Sequence, residues 1–109
     1  MISLIVHGGA WDIPEETLQD HRNGISNALK AGWSVLSSGG SSVDAVEKVI
    51  RILEDDGTFD AGRGSHLNLL GDIELDASIM NGKTMRCGAV AAVHRIANPR
   101  SEEHTSELQ

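Results

Sequence analysis

FDAGRGSHLNLLGDIELDASIM, residues 59–80, is the stretch whose reading decides the fold. It opens with a loop of small residues at 59–65, turns at Leu70, Gly71 and Asp72, and ends in an alternating run. There Ile73, Leu75, Ala77 and Ile79 alternate with Glu74, Asp76, Ser78 and Met80. A period of two sends alternate side chains to opposite faces of a strand. Residues 66–69 and 73–80 are therefore expected as two strands joined by the turn. Asn81-Gly82 is a hairpin dipeptide of the strongest kind, and GAVAAVHRI, residues 88–96, reads as a third strand.

Working outward, ISLIV at residues 2–6 is a nearly continuous apolar run ending at Gly8-Gly9. It reads as a buried strand, since strands covered on both faces lose their alternation. From about residue 15 to residue 36 the period becomes helical, with Ile25, Ala28, Leu29, Gly32, Val35 and Leu36 on one stripe. The glycine pair 39–40 stops that helix. Ser41-Ser42 caps a second, with Asp44 in its first turn and Val43, Val46, Val49, Ile50 and Leu53 as its apolar face. It runs out in Glu54-Asp55-Asp56-Gly57. Acidic residues at a helix C-terminus oppose the macrodipole; the placement either carries no meaning or marks a cationic neighbour. Strand, helix, helix and meander predict an α+β fold with helices on one face of a sheet.

A chain of 109 residues holds one small domain at most, and its 3% aromatic content offers few large core anchors. This composition suits a marginal domain or a piece of a larger one. A formal net charge of -7 argues against nucleic acid or an anionic membrane as partner, because both reward Lys and Arg patches. A single cysteine, Cys87, permits no internal disulfide and makes a reducing cytoplasm the expected compartment. The apolar run at 2–6 is too short for a signal-peptide core or a membrane span.

Several motifs fail on context. Gly62-Arg63-Gly64-Ser65-His66-Leu67 lacks the third glycine of GxGxxG, follows a helix and enters a strand, the reverse of a dinucleotide site. No P-loop is present. His7-Gly8-Gly9 is like an esterase oxyanion segment, but its partner GxSxG is missing. His7, His21, His66 and His94 lack metal-ligand spacing and read as structural or surface histidines. Glu74 and Asp76 could do acid/base work, but the simpler reading sends both to solvent while Ile73, Leu75 and Ala77 pack inward. Cys87 is expected to be packed and inert. Trp33, Met80 and Met85 are expected in the core.

Residues 100–109, RSEEHTSELQ, are polar, aperiodic and unlike what precedes them. The codons AGA TCG GAA GAG CAC ACG TCT GAA CTC CAG encode them and look like a widely used sequencing-library adapter. The expectation is a native reading frame over 1–99 and a translated adapter over 100–109. Removing the tail takes away one Arg and three Glu, and the rest stays acidic.

Motif by motif, residues 5–99 resemble the plant-type asparaginase and isoaspartyl peptidase family of N-terminal nucleophile hydrolases. The matching pieces are IVHGGA (5–10), ALKAGWSVLSSGGSSVDAVE (28–47), LEDD (53–56), FDAGRGS (59–65), Leu67-Asn68, GDIELDASIMNG (71–82) and GAVAAVHRIANP (88–99). They are collinear, and together at this spacing they are highly specific. The resemblance implies part of an αββα four-layer sandwich, made as a precursor that cuts itself before a threonine. The freed threonine is the nucleophile and its own α-amine the base. It also implies L-asparagine and β-aspartyl dipeptides as substrates, no catalytic cofactor, and a homodimer of processed precursors.

On the family pattern the nucleophilic threonine, its neighbouring threonines, the oxyanion glycine and the substrate-gripping Arg/Asp pair lie downstream of this chain. None of its residues is then catalytic, and the chain alone is expected to be inactive. His7, Gly8 and Gly9 would lie against the self-cleavage site. Backbone carbonyls of Leu53, Glu54, Asp56, Phe59, Ala61 and Arg63 would hold a structural sodium ion. Asp60 stands where the family usually has Asn, replacing a neutral amide near the active site with a carboxylate that lacks a donor. The alternatives are a non-catalytic chain acting as a binding partner and a fragment of the glycosylasparaginase branch.

Overall fold

The computed structural model describes residues 1–94. The predicted tail at 100–109, and residues 95–96 of the expected third strand, lie outside the described residues. A 3₁₀ turn at Glu15–Thr17 leads into helix α1, Leu18–Ser37, followed by α2, Ser42–Asp55. A second 3₁₀ turn, Gly62–Gly64, precedes strands β1, Leu75–Asn81, and β2, Arg86–Val93. The strands form one two-stranded antiparallel sheet. The molecule is mixed helix and sheet, as the α+β reading expects.

Both helix boundaries have local causes. The Ser41 hydroxyl accepts from the Asp44 N–H at 3.1 Å, satisfying one of the free donors at the start of α2. At the end of α1, Gly40 N–H donates to Val35 carbonyl at 2.8 Å and Gly39 N–H to Leu36 at 3.1 Å. That pair of bonds is a Schellman stop, and it needs the left-handed backbone of Gly39, φ 90°.

The helices pack along a seam of small residues. Ala28 and Gly32 are buried on α1, and Ala45 is buried on α2. A Cβ on Gly32 would overlap Val49 and come within 2.8 Å of Leu4, so only glycine allows the approach. Ala28, Val49, Leu53 and Phe59 form the core, with Leu4, Val6, Ile25, Ile50, Ile52 and Ala61 packed against it. Leu29 and Val46, expected on the apolar stripes, are instead exposed. The close helix contact runs through glycine and alanine, which displaces the larger side chains to its margins.

Residues 2–6 are not a strand. No ladder partner lies beside them among the described residues; Leu4 and Val6 reach the core while Ile5 is exposed. Residues 66–69 are not a strand either. The Asn68 side chain accepts from the N–H groups of Leu70 and Asp72, both at 2.9 Å, and folds the segment into a clamped turn.

The alternation holds within β1, with Ala77 and Ile79 buried and Asp76, Ser78 and Met80 exposed, but the strand begins at Leu75, and Ile73, expected to pack inward, lies before it and is exposed. The hairpin differs. Asn81 pairs with Arg86, so the connection is residues 82–85, and Met85 rather than Asn-Gly takes the positive φ, 60°. Trp33, Met80 and Met85 are exposed, not core. Trp33 sits on the outer side of α1, Met80 on the outward face of β1 and Met85 in the turn. Cys87 is exposed too, because its place opposite Met80 puts it on that outward face. No helix among the described residues is long and apolar enough to cross a membrane.

Candidate functional site

Phe59 roots the loop that follows α2. Its ring is buried, lies edge-on to the His21 ring with centroids 5.3 Å apart, and sits over Gly24, where a Cβ would overlap it. Pinning Phe59 fixes its neighbours. Asp56 supports the loop from before, its Oδ1 accepting from Thr58 N–H at 3.1 Å. The Gly62–Gly64 turn closes it, with Gly64 N–H donating to Ala61 carbonyl and Ser65 N–H to Gly62 carbonyl, both at 3.2 Å.

That loop is one wall of a cleft of about 740 Å³. The opposite side carries residues 7–11, where Gly9 N–H donates to His7 Nδ1 at 3.1 Å and Gly8 packs on Ile25 and Phe59. The start of β1 adds Glu74 and Asp76. The cleft thus gathers residues that are distant in sequence: His7, Gly8 and Gly9 with Asp60, and with Leu53, Glu54, Phe59 and Ala61. Asp56 and Arg63, the remaining residues singled out from the sequence, do not line it.

The electrostatics of the wall are acidic. Glu54, Asp60, Glu74 and Asp76 line it with His7 and His66, and among the described residues no Lys or Arg does. Glu54 is buried. Asp76 Oδ1 accepts from Ala92 N–H at 2.8 Å across a register shift in the ladder, and Glu74 approaches His94 Nε2 at 3.8 Å. Both carboxylates face away from the core, as expected, yet they border the cleft. Asp60 Oδ1 accepts from His66 N–H at 2.9 Å and lies 3.0 Å from His66 Nδ1. The backbone bond from His66 holds the Asp60 carboxyl below its ordinary value, against the opposing effect of partial burial, with the His66 ring adding to the lowering.

The sequence marks His66 only as a structural or surface histidine, and no spacing rule pairs residues six apart across a glycine turn. The arrangement can hold a cationic or hydrogen-bond-donating group by its carboxylates. Among the described residues no three His, Cys, Asp or Glu side chains converge as a metal-ligand set.

Comparison with known proteins places the chain. A family model described as asparaginase, Asparaginase_2, matches residues 1–102. A Bos taurus protein named isoaspartyl peptidase/L-asparaginase is 52% identical over 97 residues, covering 88% of this chain and 32% of that protein. One of the same name from Danio rerio is 47% identical over 96 residues, covering 88% of this chain and 31% of that protein. A plant-type L-asparaginase from Pyrococcus abyssi is 47% identical over 102 residues, covering 93% of this chain and 33% of that protein. The chain spans about a third of the length of the curated relatives it matches. With the family model running along nearly all of its residues, the chain belongs to the asparaginase family.

Proposed function

We propose that this chain is the amino-terminal part of a hydrolase acting on L-asparagine and β-aspartyl dipeptides. The observation that carries the reading is identity of 47–52% along the described fold to proteins named isoaspartyl peptidase/L-asparaginase. Water would be added across the side-chain amide, giving aspartate and ammonia, or across a β-aspartyl peptide bond, giving aspartate and an amino acid. The nucleophile is a threonine hydroxyl downstream of residue 99, freed by self-cleavage of a precursor. Its α-amine, with a pKa of about 8, suits proton transfer near neutral pH.

In this reading the helix pair and the hairpin are parts of an αββα sandwich. The cleft is the wall against which the threonine sits, with His7, Gly8 and Gly9 beside the self-cleavage site. The partners are small amides and a second processed copy rather than nucleic acid or membrane, and the compartment is the cytoplasm. Residues 100–109 are read as foreign to the native frame.

A structural sodium ion fits the loop after α2. A Cβ on Gly62 would lie 2.5 Å from the Glu54 carbonyl oxygen; one on Gly64 would overlap that of Phe59 and lie 2.7 Å from that of Gly57. Carbonyl oxygens thus crowd a turn that only glycine leaves open, beside the acidic end of α2. Neutral oxygens suit a hard cation. Leu53, Glu54, Asp56, Phe59, Ala61 and Arg63 would hold it through their carbonyls. The ion would contribute loop order and no chemical step.

The test is ammonia release from L-asparagine and aspartate release from a β-aspartyl dipeptide. It compares the 109-residue chain with the product of the genomic reading frame extended past codon 99. The extended product is expected to hydrolyse both, and the short chain neither. An inactive extended product, or an active short chain, overturns the reading.

A further inference from the structure

We propose that His66 is a positioning residue for the cleft: it holds Asp60 Oδ1 through its backbone and its ring, and so leaves Oδ2 as a fixed acceptor for a donor group in the site. The inference deepens the hydrolase reading and rests on it.

Both contacts to Asp60 fall on the same oxygen, the His66 N–H at 2.9 Å and Nδ1 at 3.0 Å. A carboxylate can only accept, so Nδ1 carries the hydrogen in the neutral ring. The two residues close a loop around the Gly62–Gly64 turn, and both line the cleft. The pair is open to water, with side chains 61% and 76% exposed, and an exposed pair adds little to stability. Its consequence is geometric. Two donors on Oδ1 fix the rotation of the carboxylate, and Oδ2 has no protein donor among the described residues.

An asparagine at position 60 would offer one acceptor and one donor group; the aspartate offers acceptors only. The occupant it fits is therefore a donor, an ammonium or a hydroxyl. In the hydrolase reading that donor belongs either to the substrate's α-ammonium or to the nucleophilic threonine. The charge at position 60 is then part of this chain's site, with His66 as its support.

The test uses the extended-frame protein and two readouts. The first is the His66 ring tautomer, read by long-range ¹H–¹⁵N NMR on histidine-labelled protein. The Nδ1–H form is expected in the wild type and its loss in Asp60→Ala; an identical His66 signal in both overturns the proposal. The second is steady-state kinetics. His66→Val is expected to lower kcat/KM about tenfold, and His66→Asn, whose side-chain amide can donate in place of Nδ1, to restore most of it. A rise in KM assigns the donor to the substrate, and a fall in kcat assigns it to the nucleophile. His66→Val as active as wild type, or His66→Asn no better than His66→Val, overturns the proposal. A wild type inactive on both substrates defeats the hydrolase reading instead, and the tautomer readout still decides the Asp60–His66 pair.

Discussion

The Phe59 ring meets the His21 ring edge-on, with centroids 5.3 Å apart and planes at 75°. This contact joins the loop after α2 to the buried side of α1, and everything that lines the cleft from residue 60 to residue 66 hangs from it. His21, on α1, is itself held to the turn before the helix, its Nδ1 donating to the Thr17 carbonyl at 2.8 Å. Nδ1 therefore carries the hydrogen, and Nε2 is buried without a hydrogen-bond partner among the described residues.

Phe59→Ala removes the largest aromatic side chain of the core cluster. A buried Phe→Ala change costs about 3–5 kcal/mol, against total stabilities of about 5–15 kcal/mol for whole domains. Urea denaturation followed by circular dichroism should show the variant largely unfolded where the parent chain is folded. A change in midpoint near zero would mean that Phe59 does not anchor the loop.

Gly24→Ala should clash with the same ring, since its Cβ would overlap the ring edge and lie 2.8 Å from an Asp56 carboxylate oxygen. Overpacking of this kind costs about 1–3 kcal/mol. The cost should shrink when combined with Phe59→Leu, because the shorter side chain vacates the space. Strictly additive effects in that double-mutant cycle would show that the two residues do not touch.

These two contacts mark where the sequence is readable and where it is not. The Ser41 cap, the Gly39-Gly40 stop and the alternation of β1 follow from local chemistry, and the structure carries all three. The helix seam does not follow from hydrophobic periodicity, because Ala28, Gly32 and Ala45 pack by being small. Residues 2–6 have the composition of a strand, but a strand needs a neighbour, and composition cannot supply one. The cleft gathers residues 7–9 with Leu53, Glu54, Phe59, Asp60 and Ala61, which family likeness picks out separately, and leaves Asp56 and Arg63 outside its lining. The Asp60–His66 contact depends on how the glycine turn folds back, which no spacing rule encodes.

Asp60 gives a pH dependence of known sign. Its carboxyl is held below the ordinary value by the His66 backbone bond, partial burial opposing and the His66 ring assisting. A group with a depressed folded pKa contributes stability that is present above the unfolded value, about 3.9, and lost as pH falls through the folded value. Amide exchange at His66, normalised to its intrinsic rate, should therefore quicken as pH drops below about 4. Asp60→Asn should abolish that step. An unchanged pH profile in Asp60→Asn would show that Asp60 does not hold the loop.

The proposed cation site predicts a specific salt response. Exchanging sodium for choline at constant ionic strength should lower the melting temperature of the extended-frame protein, and restoring sodium should recover it. A ligand that binds only the folded state stabilises by RT ln(1 + [L]/Kd), so the shift should saturate. Gly64→Ala, whose Cβ would overlap the Phe59 carbonyl oxygen, should lose the response. Equal melting temperatures in the two salts would remove the ion from the account.

The most direct test of the central claim is the intact mass and N-terminal sequence of the protein made from the genomic frame read past codon 99. The account predicts two associated pieces, the second beginning with threonine, and cleavage lost when that threonine becomes alanine. A single uncleaved chain that hydrolyses β-aspartyl dipeptides, or a frame with no threonine at a cleavage point, would contradict it.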